Sequence, residues 1–163
     1  GKFKHLKCIK CEGFCPKVCN SSFIKSIQDA QTLKDCSKIN GYLLIQILGG
    51  NNIADELERN LGSIKEVTDF IFIDRSYVLM TLYFLKSLET IGGENLYNNK
   101  SSFIAMDNSD LQDLFPEEQM RKMKLKRGIL SFHTNRKLCN SKIKSFVKHL
   151  NLTEDKQDIG NNG

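Results

Sequence analysis

The chain has 163 residues, of which 40% are hydrophobic and 26% are charged, and its formal net charge is +5. This composition suits one folded domain with a sizeable core and argues against a disordered chain. No run of about 18 apolar residues is present that could span a membrane, and the modest charge permits an acidic partner without requiring one.

The first feature along the chain is a run of four closely spaced cysteines, which either bind a metal or form disulfides. A zinc site usually combines two short-spaced pairs, and none of the histidines (His5, His133 and His149) forms a His-x3-5-His pair. We therefore favour disulfides and an oxidising compartment, with metal binding as the alternative. The six cysteines are Cys8, Cys11, Cys15, Cys19, Cys36 and Cys139.

Hydrophobic periodicity predicts short strands alternating with a few helices. The first helix has Ser26 as its N-cap, and the last has an apolar face formed by Ile143, Phe146, Val147 and Leu150. Residues beyond Asn151 are polar, and we expect them to be frayed. The predicted helices are 26–33, 53–61 and 140–150, and the predicted strands are 42–48, 70–74, 102–107 and 128–133.

Two signals repeat along the chain. The first signal is the predicted strand itself, which recurs four times with Ile45, Ile71, Ile104 and Ser131 at equivalent positions. A second pattern places an apolar residue at every third position, and such repeats are typical of stacked coils. We predict a mainly β fold with short helices, a right-handed β-helix or leucine-rich-repeat-like solenoid whose ends are capped by helices. An α+β domain with only apparent periodicity is the alternative. The copies of the second pattern begin at Leu33, Leu61, Leu85, Asn108 and Asn135.

A basic run at 121–127 could bind heparan sulfate or acidic lipid, but we favour an edge strand or loop protected by lysines. Nucleic acid does not fit, because aromatic residues do not alternate with the basic ones. The sequence contains no nucleophile elbow, metalloprotease motif or phosphate-binding loop, so we predict neither an enzyme nor a cofactor.

Three Asn-x-Ser/Thr triplets begin at Asn20, Asn99 and Asn151. Each is an N-glycosylation acceptor if the chain passes through the secretory pathway. Such triplets are common by chance in a sequence rich in asparagine and serine, so they only support the prediction of secretion.

Several segments together resemble the second receptor L domain of the insulin receptor and insulin-like growth factor receptor family, preceded by the end of its cysteine-rich region. The Gly-Gly-Asn-Asn-Ile-Ala sequence at 49–54 is the most specific of them. The family's tryptophans after the position of Leu114 are missing, which suggests a divergent member such as an invertebrate insulin-like peptide receptor. The other similar segments are 11–19, 26–36, 39–43, 103–108 and 135–139.

The resemblance implies a disulfide pattern and a domain division. It pairs Cys11 with Cys15 and Cys19 with Cys36. It places the partner of Cys8 before Gly1 and that of Cys139 after Gly163, so we expect a fragment of a larger ectodomain. The implied divisions are the end of a cysteine-rich region (1–18), a receptor L domain (19–151) and a tail leading to a fibronectin type III domain (152–163).

The resemblance also implies a function. The chain would be a non-catalytic, extracellular scaffold and binding module of an insulin-like peptide receptor tyrosine kinase. Its partners would be the cysteine-rich region, the first L domain and fibronectin type III domains, with the peptide hormone bound by the full receptor. The parent would be a disulfide-linked homodimer. The alternative is part of a secreted decoy that sequesters insulin-like peptides without a kinase.

Overall fold

The computed structural model describes residues 16–163, so Cys8, Cys11, Cys15 and most of the predicted 1–18 segment lie outside the described residues. Short strands dominate the described part, and the prediction of a mainly β fold with short helices is confirmed. In chain order the elements are β1 (Val18–Ile24), α1 (Ile27–Gln31), β2 (Lys38–Ile45), α2 (Ile53–Leu61), β3 (Glu66–Val67), β4 (Ile71–Asp74), β5 (Thr90–Ile91), β6 (Ser101–Met106), α3 (Glu117–Met120), β7 (Lys124–Leu125), β8 (Ile129–His133), α4 (Asn140–His149), a 3-10 turn (Glu154–Lys156) and β9 (Gln157–Gly160).

The strands pair in parallel, in the order β7-β5-β3-β2-β4-β6-β8-β9, with β1 beside β2. The long strand β2 belongs to two rows. Its first residues pair with β3, which continues to β5 and β7, and its last residues pair with β4, which continues to β6, β8 and β9. Each strand therefore lies beside the strand of the next repeat.

The core lies on the inward side of these strands. In β2, Leu43 and Ile45 are fully buried while the intervening Leu44 points outward, as the period of a strand requires. Towards the C-terminus Phe103 is the centre of an aromatic cluster, with its ring 5.3 Å from that of Phe132 and 5.7 Å from that of Phe146. This cluster supplies the largest fully buried side chains of the core in a chain without tryptophan.

A column of polar side chains runs along the ends of the strands. Its members each stand two residues after the end of β4, β6, β8 or β9. Asn108 Oδ1 accepts a hydrogen bond from the Ser76 backbone N–H at 2.8 Å. Asn135 Oδ1 accepts from the Asn108 N–H at 3.1 Å, and Asn162 Oδ1 accepts from the Asn135 N–H at 3.0 Å. We call Ser76, Asn108, Asn135 and Asn162 the asparagine ladder.

The amide nitrogens of the ladder complete the pattern. Asn108 Nδ2 donates to the Ile73 carbonyl at 3.0 Å, and Asn135 Nδ2 donates to the Ala105 carbonyl at 2.9 Å. Asn108 and Asn135 are fully buried. Buried polar groups need hydrogen-bond partners. Each asparagine supplies them to backbone groups of the preceding repeat that no longer have strand partners.

The predicted alignment of the strands is wrong at two of its three steps. Leu43 pairs with Ile71, so aligning Ile45 with Ile71 is off by two residues. Ile71 pairs with Phe103 rather than Ile104, whereas Ile104 does pair with Ser131 as expected. The apolar residues of these strands occupy both faces of the sheet, so hydrophobicity alone did not define the inward residues.

The expectation that residues after Asn151 are frayed is also wrong. Strand β9 pairs with β8 over four residue pairs, and the Gly163 N–H donates to the Leu138 carbonyl at 2.9 Å. Since β9 forms the end of the sheet, its backbone supplies the pairing while its side chains remain partly exposed. The domain division placed at Asn151 stays a prediction.

The basic run contains strand β7, which is the last strand of its row. Arg127 has a structural role there, because its Nη1 donates to the carbonyls of Gly93 and Glu94 at 2.8 and 3.2 Å. Both observations agree with the structural interpretation of this run. At the other end of the chain, Ser26 is the N-cap of α1 as predicted, accepting from the Asp29 N–H at 3.2 Å.

Cys19 and Cys36 form a disulfide whose Cα atoms lie 6.1 Å apart, joining β1 to the turn before β2. Cys36 is fully buried, and its sulfur lies in the core at the start of the sheet. Among the described residues Cys139 is free and exposed, directly before α4.

Replacing Asn108 by alanine should destabilise the fold by about 2–4 kcal/mol, because the Ser76 N–H and the Ile73 carbonyl lose buried partners. Urea denaturation of Asn108→Ala against the parent chain measures this loss. Ser109→Ala, at the exposed neighbouring position, is the matched control and should change little. Equal effects of the two substitutions would contradict a structural role for the ladder.

Removing the disulfide with Cys19→Ala and Cys36→Ala should cost about 3 kcal/mol, as expected for closing a loop with a sequence separation of 17. The unfolding midpoint in urea should fall. The protection of backbone amides against hydrogen exchange should decrease more in β1 than in α2. Unchanged protection of β1 would show that its pairing with β2 alone holds it in place.

Candidate functional site

The outward side of the sheet carries a group of large apolar and aromatic side chains. Phe23 in β1, Leu44 in β2 and Phe72 in β4 are register partners and form one row across three strands. Outward-facing residues of a strand usually contact solvent and are polar, so this row is unusual for a surface. We define the aromatic face as Phe23, Tyr42, Leu44, Phe70, Phe72 and Tyr97.

The rings of the aromatic face hold one another in place. Tyr42 and Phe70 stack with centroids 5.2 Å apart and planes within 8° of parallel. Tyr97 makes edge contacts with Phe70 at 5.6 Å and with Phe72 at 5.0 Å. Phe23 and Tyr97 still expose 43% and 37% of their surfaces, so the face is a preformed apolar surface open at both ends.

A cleft of about 420 Å³ lies beside Tyr97, and Ile104, Met106, His133 and Asp158 are among the residues that line it. Asp158 Oδ1 lies 2.9 Å from His133 Nε2, and its Oδ2 lies 3.3 Å from Lys100 Nζ. Desolvation by burial raises the pKa of Asp158, but the hydrogen bond from Lys100 and the nearby His133 outweigh it. The net pKa lies below its ordinary value.

Polar and charged side chains also stand at the C-terminal ends of β1, β2 and β4. Gln46 Nε2 donates to Asp74 Oδ2 at 3.0 Å, and Arg75 Nε lies 3.3 Å from the same oxygen. Lys25 Nζ lies 4.9 Å from the centre of the Phe23 ring, a cation–π contact. An apolar centre with a polar rim of mixed charge is the arrangement of protein-binding surfaces.

The structure separates the residues predicted as sites. Asn20 lies in β1, Asn99 in the turn before β6 and Asn151 directly after α4, and all three are exposed. Within residues 16–163 no group of three or more His, Cys, Asp or Glu side chains is arranged to hold a metal ion. The described helices include none that is long and apolar enough to cross a membrane.

The sequence interpretation missed the aromatic face. One signal was available: Phe70 and Phe72 are two residues apart, as are Tyr42 and Leu44, which places each pair on one side of a strand. Tyr97 could not be assigned to this face, because it reaches the sheet from a turn outside the main strands.

Comparison with known proteins identifies the domain. Residues 35–151 match the receptor L domain family, a match that includes β2 to α4. The chain belongs to the receptor L domain family. This result confirms the family resemblance drawn from the sequence. The matched domain is a non-catalytic part of its receptors, so this chain is not itself an enzyme.

Relatives of this receptor L domain are similar over nearly all of it. A molluscan insulin-related peptide receptor of Lymnaea stagnalis is 50% identical over 158 residues, covering 94% of this chain and 10% of the relative. The insulin receptor of Xenopus laevis is 42% identical, covering 93% of the chain and 12% of the relative. The insulin-like peptide receptor of Branchiostoma lanceolatum is 43% identical, covering 90% and 11%. The chain therefore spans about a tenth of these relatives' length.

Asp158 should contribute to the stability of the L domain in a pH-dependent way. Because its folded pKa is lowered, its contribution is present above the unfolded pKa of about 3.9 and is lost as the pH falls through the folded pKa. Asp158→Asn should make stability fall less steeply below about pH 4, as measured by urea denaturation at a series of pH values. Glu94→Gln, at an exposed position, is the control, and a matching change in that variant would contradict the assignment.

Proposed function

We propose that this chain is an extracellular scaffold and binding module of an insulin-like peptide receptor tyrosine kinase. The observation that carries the proposal is the 50% identity to a molluscan insulin-related peptide receptor over 94% of the chain. The aromatic face on a tightly paired sheet supports it, because a binding module needs a rigid surface that is apolar before its partner arrives.

The proposal includes the finer fold, a right-handed β-helix or leucine-rich-repeat-like solenoid. Two rows of parallel pairing support it, since each strand pairs with the strand of the next repeat. The asparagine ladder supports it as well, because the same position in four successive repeats makes the same contact. A solenoid of this kind separates the modules at its two ends by a fixed distance.

The surroundings of Cys139 support a further module after the described chain. The Gly163 carbonyl accepts from the Asn140 N–H at 3.1 Å, and the Gly163 N–H donates to the Leu138 carbonyl at 2.9 Å. Gly163 therefore lies beside the backbone of Cys139, whose side chain is exposed, and a cysteine a few residues further on could form a disulfide with it. A disulfide of this kind would fasten the L domain to the module after it, whereas the Cys11–Cys15 pair and an upstream partner for Cys8 would lie within the cysteine-rich region before it.

The binding role belongs to the assembled receptor. The aromatic face would contact a neighbouring ectodomain module, and hormone binding would rearrange the modules around this rigid one. The isolated chain should then bind an insulin-like peptide weakly or not at all. Calorimetric titration of the isolated chain with the peptide measures this directly, and a sub-micromolar dissociation constant would overturn the assignment as a scaffold.

A chimera tests the role in the receptor. In the Lymnaea receptor, this chain would replace the homologous region, and hormone-stimulated tyrosine phosphorylation should be retained. Phe23→Ser in the chimera should raise the hormone concentration needed for half-maximal response by about tenfold, because it removes the most exposed aromatic ring of the face.

Tyr77→Ser is the matched control, because Tyr77 is equally exposed at 43% but lies outside the aromatic face. Both variants should reach the cell surface at parental levels, since neither removes a buried side chain. A chimera that reaches the surface without responding to hormone would contradict the proposed function, and equal effects of the two variants would contradict the role of the face.

A further inference from the structure

Glycine follows asparagine at two places in the chain, in Asn40-Gly41 within β2 and in Asn162-Gly163 at the last rung of the asparagine ladder. An asparagine in this position is chemically reactive, because the backbone nitrogen of the next residue can attack its side-chain amide. Glycine has no side chain to hinder the attack and allows the backbone to rotate. The chain therefore contains two candidate sites for the spontaneous loss of ammonia.

The packing of the last repeat requires both residues of the second pair. Asn162 Oδ1 accepts from the Asn135 N–H at 3.0 Å, and its Nδ2 donates to the Phe132 carbonyl at 2.9 Å. A Cβ atom on Gly163 would lie 2.5 Å from the Arg136 carbonyl oxygen, which leaves no space for a side chain. The reactive pair is therefore a consequence of the way in which the ladder ends.

The first pair is also required by packing, but its asparagine is more exposed. Gly41 has a φ of 141°, and a Cβ atom there would overlap the Ser21 hydroxyl. Its N–H donates to Thr68 Oγ1 at 2.8 Å. The side chain of Asn40 is exposed, whereas that of Asn162 is partly buried. Side-chain exposure alone would therefore predict that Asn40 reacts first.

Hydrogen bonds protect Asn162 while the last repeat is closed. The Gly163 N–H, which would supply the attacking nitrogen, donates to the carbonyls of Asn135 and Leu138 at 3.2 and 2.9 Å. The amide of Asn162 is held at both its oxygen and its nitrogen. Neither group can move towards the other until these bonds break, so the reaction follows the opening of this part of the structure.

The two sites differ in how much structure must open to release them. Asn40 pairs with Asn20 of β1, and the strand that holds it also pairs with β3 and β4. The Cys19–Cys36 disulfide fastens β1 beside it. Asn162 follows β9, which pairs only with β8 among the described strands. Detachment of β9 alone releases Asn162, whereas release of Asn40 requires loss of the sheet.

We propose that Asn162 is the site at which the folded chain deamidates spontaneously, at a rate set by the detachment of β9. The Gly163 nitrogen loses its proton and bonds to Asn162 Cγ. The bond from Cγ to Nδ2 breaks, and ammonia leaves with that proton. Water then opens the succinimide at either of its carbonyls, which gives aspartate or isoaspartate.

The modification removes the last rung of the ladder. Aspartate can still accept from the Asn135 N–H, but its carboxylate cannot donate to the Phe132 carbonyl. Isoaspartate adds an atom to the main chain before Gly163 and shifts the bonds that this glycine makes. Refolding reverses neither change, so each detachment of β9 carries a chance of permanent damage to the end of the sheet.

The test compares the two sites within one chain. The complete chain is incubated at neutral pH, both folded and unfolded by guanidinium chloride after reduction and alkylation, and deamidation is followed by peptide mass spectrometry. Dividing the rate in the folded chain by that in the unfolded chain corrects for the intrinsic reactivity of each site. This ratio should be at least about tenfold larger for Asn162 than for Asn40. Equal ratios, a larger ratio for Asn40, or an unmodified Asn162 in the folded chain would overturn the inference.

A variant that loosens β9 tests the control by detachment. Asp158 in β9 contacts His133 in β8 and Lys100 before β6, so Asp158→Ala should speed deamidation of Asn162 about threefold without changing that of Asn40. Hydrogen exchange of the β9 amides should accelerate in parallel. Glu94→Ala, which removes an exposed acidic side chain outside β9, is the control and should change neither rate. Faster exchange of β9 without faster deamidation would contradict the proposed control.

The consequence of the modification is measured on a variant that reproduces one product. Asn162→Asp should raise the unfolding equilibrium constant about tenfold, because the Phe132 carbonyl loses its donor. Asn40→Asp, at the exposed position in β2, is the matched control and should raise it less than about twofold. Equal stabilities of Asn162→Asp and the parent chain would overturn the loss of the last rung.

Discussion

The asparagine ladder is the contact on which the rest of the structure depends. At the ends of β4, β6, β8 and β9 the chain turns away, and its backbone N–H and C=O groups leave the sheet while still buried. An asparagine side chain offers both an acceptor and a donor at this point, and each ladder residue accepts the N–H of the preceding rung. The ladder begins at Ser76, which accepts from the Ile47 N–H, and it ends at Asn162.

The same contact fixes both faces of the sheet. Because each rung bonds to one particular residue of the neighbouring repeat, the strands cannot slide past one another without leaving these groups unpaired. A slip of one residue would turn the buried Leu43 and Ile71 outward and bring Leu44 and Phe72 into the core. The aromatic face is therefore a consequence of the register that the ladder enforces, and not a separate patch added to a finished core.

Sequence patterns predicted the helices and strands better than the pairing and register between them. The helix at 53–61 and the four main strands were found because local periodicity reflects local burial. Asn108 and Asn135 were noticed as the leading residues of weak repeats, but their role depends on partners about 30 residues away. Asn162 and β9 were missed for the same reason, since a polar strand at the end of a sheet looks like an exposed tail. The aromatic face required the register, which hydrophobicity alone could not supply.

The two ends of the aromatic face differ in the residues that surround them, and a protein partner would meet them differently. At one end Phe23 lies in β1, which pairs only with β2 among the described strands and is tied to it by the Cys19–Cys36 disulfide. At the other end Tyr97 lies in the turn before β6, beside the cleft that Lys100, His133 and Asp158 line. Phe23, which is 43% exposed, and Leu44 therefore form the half of the face that a protein partner reaches away from this charged cleft. The disulfide that keeps β1 in place would in that way also keep the accessible half of the face in place.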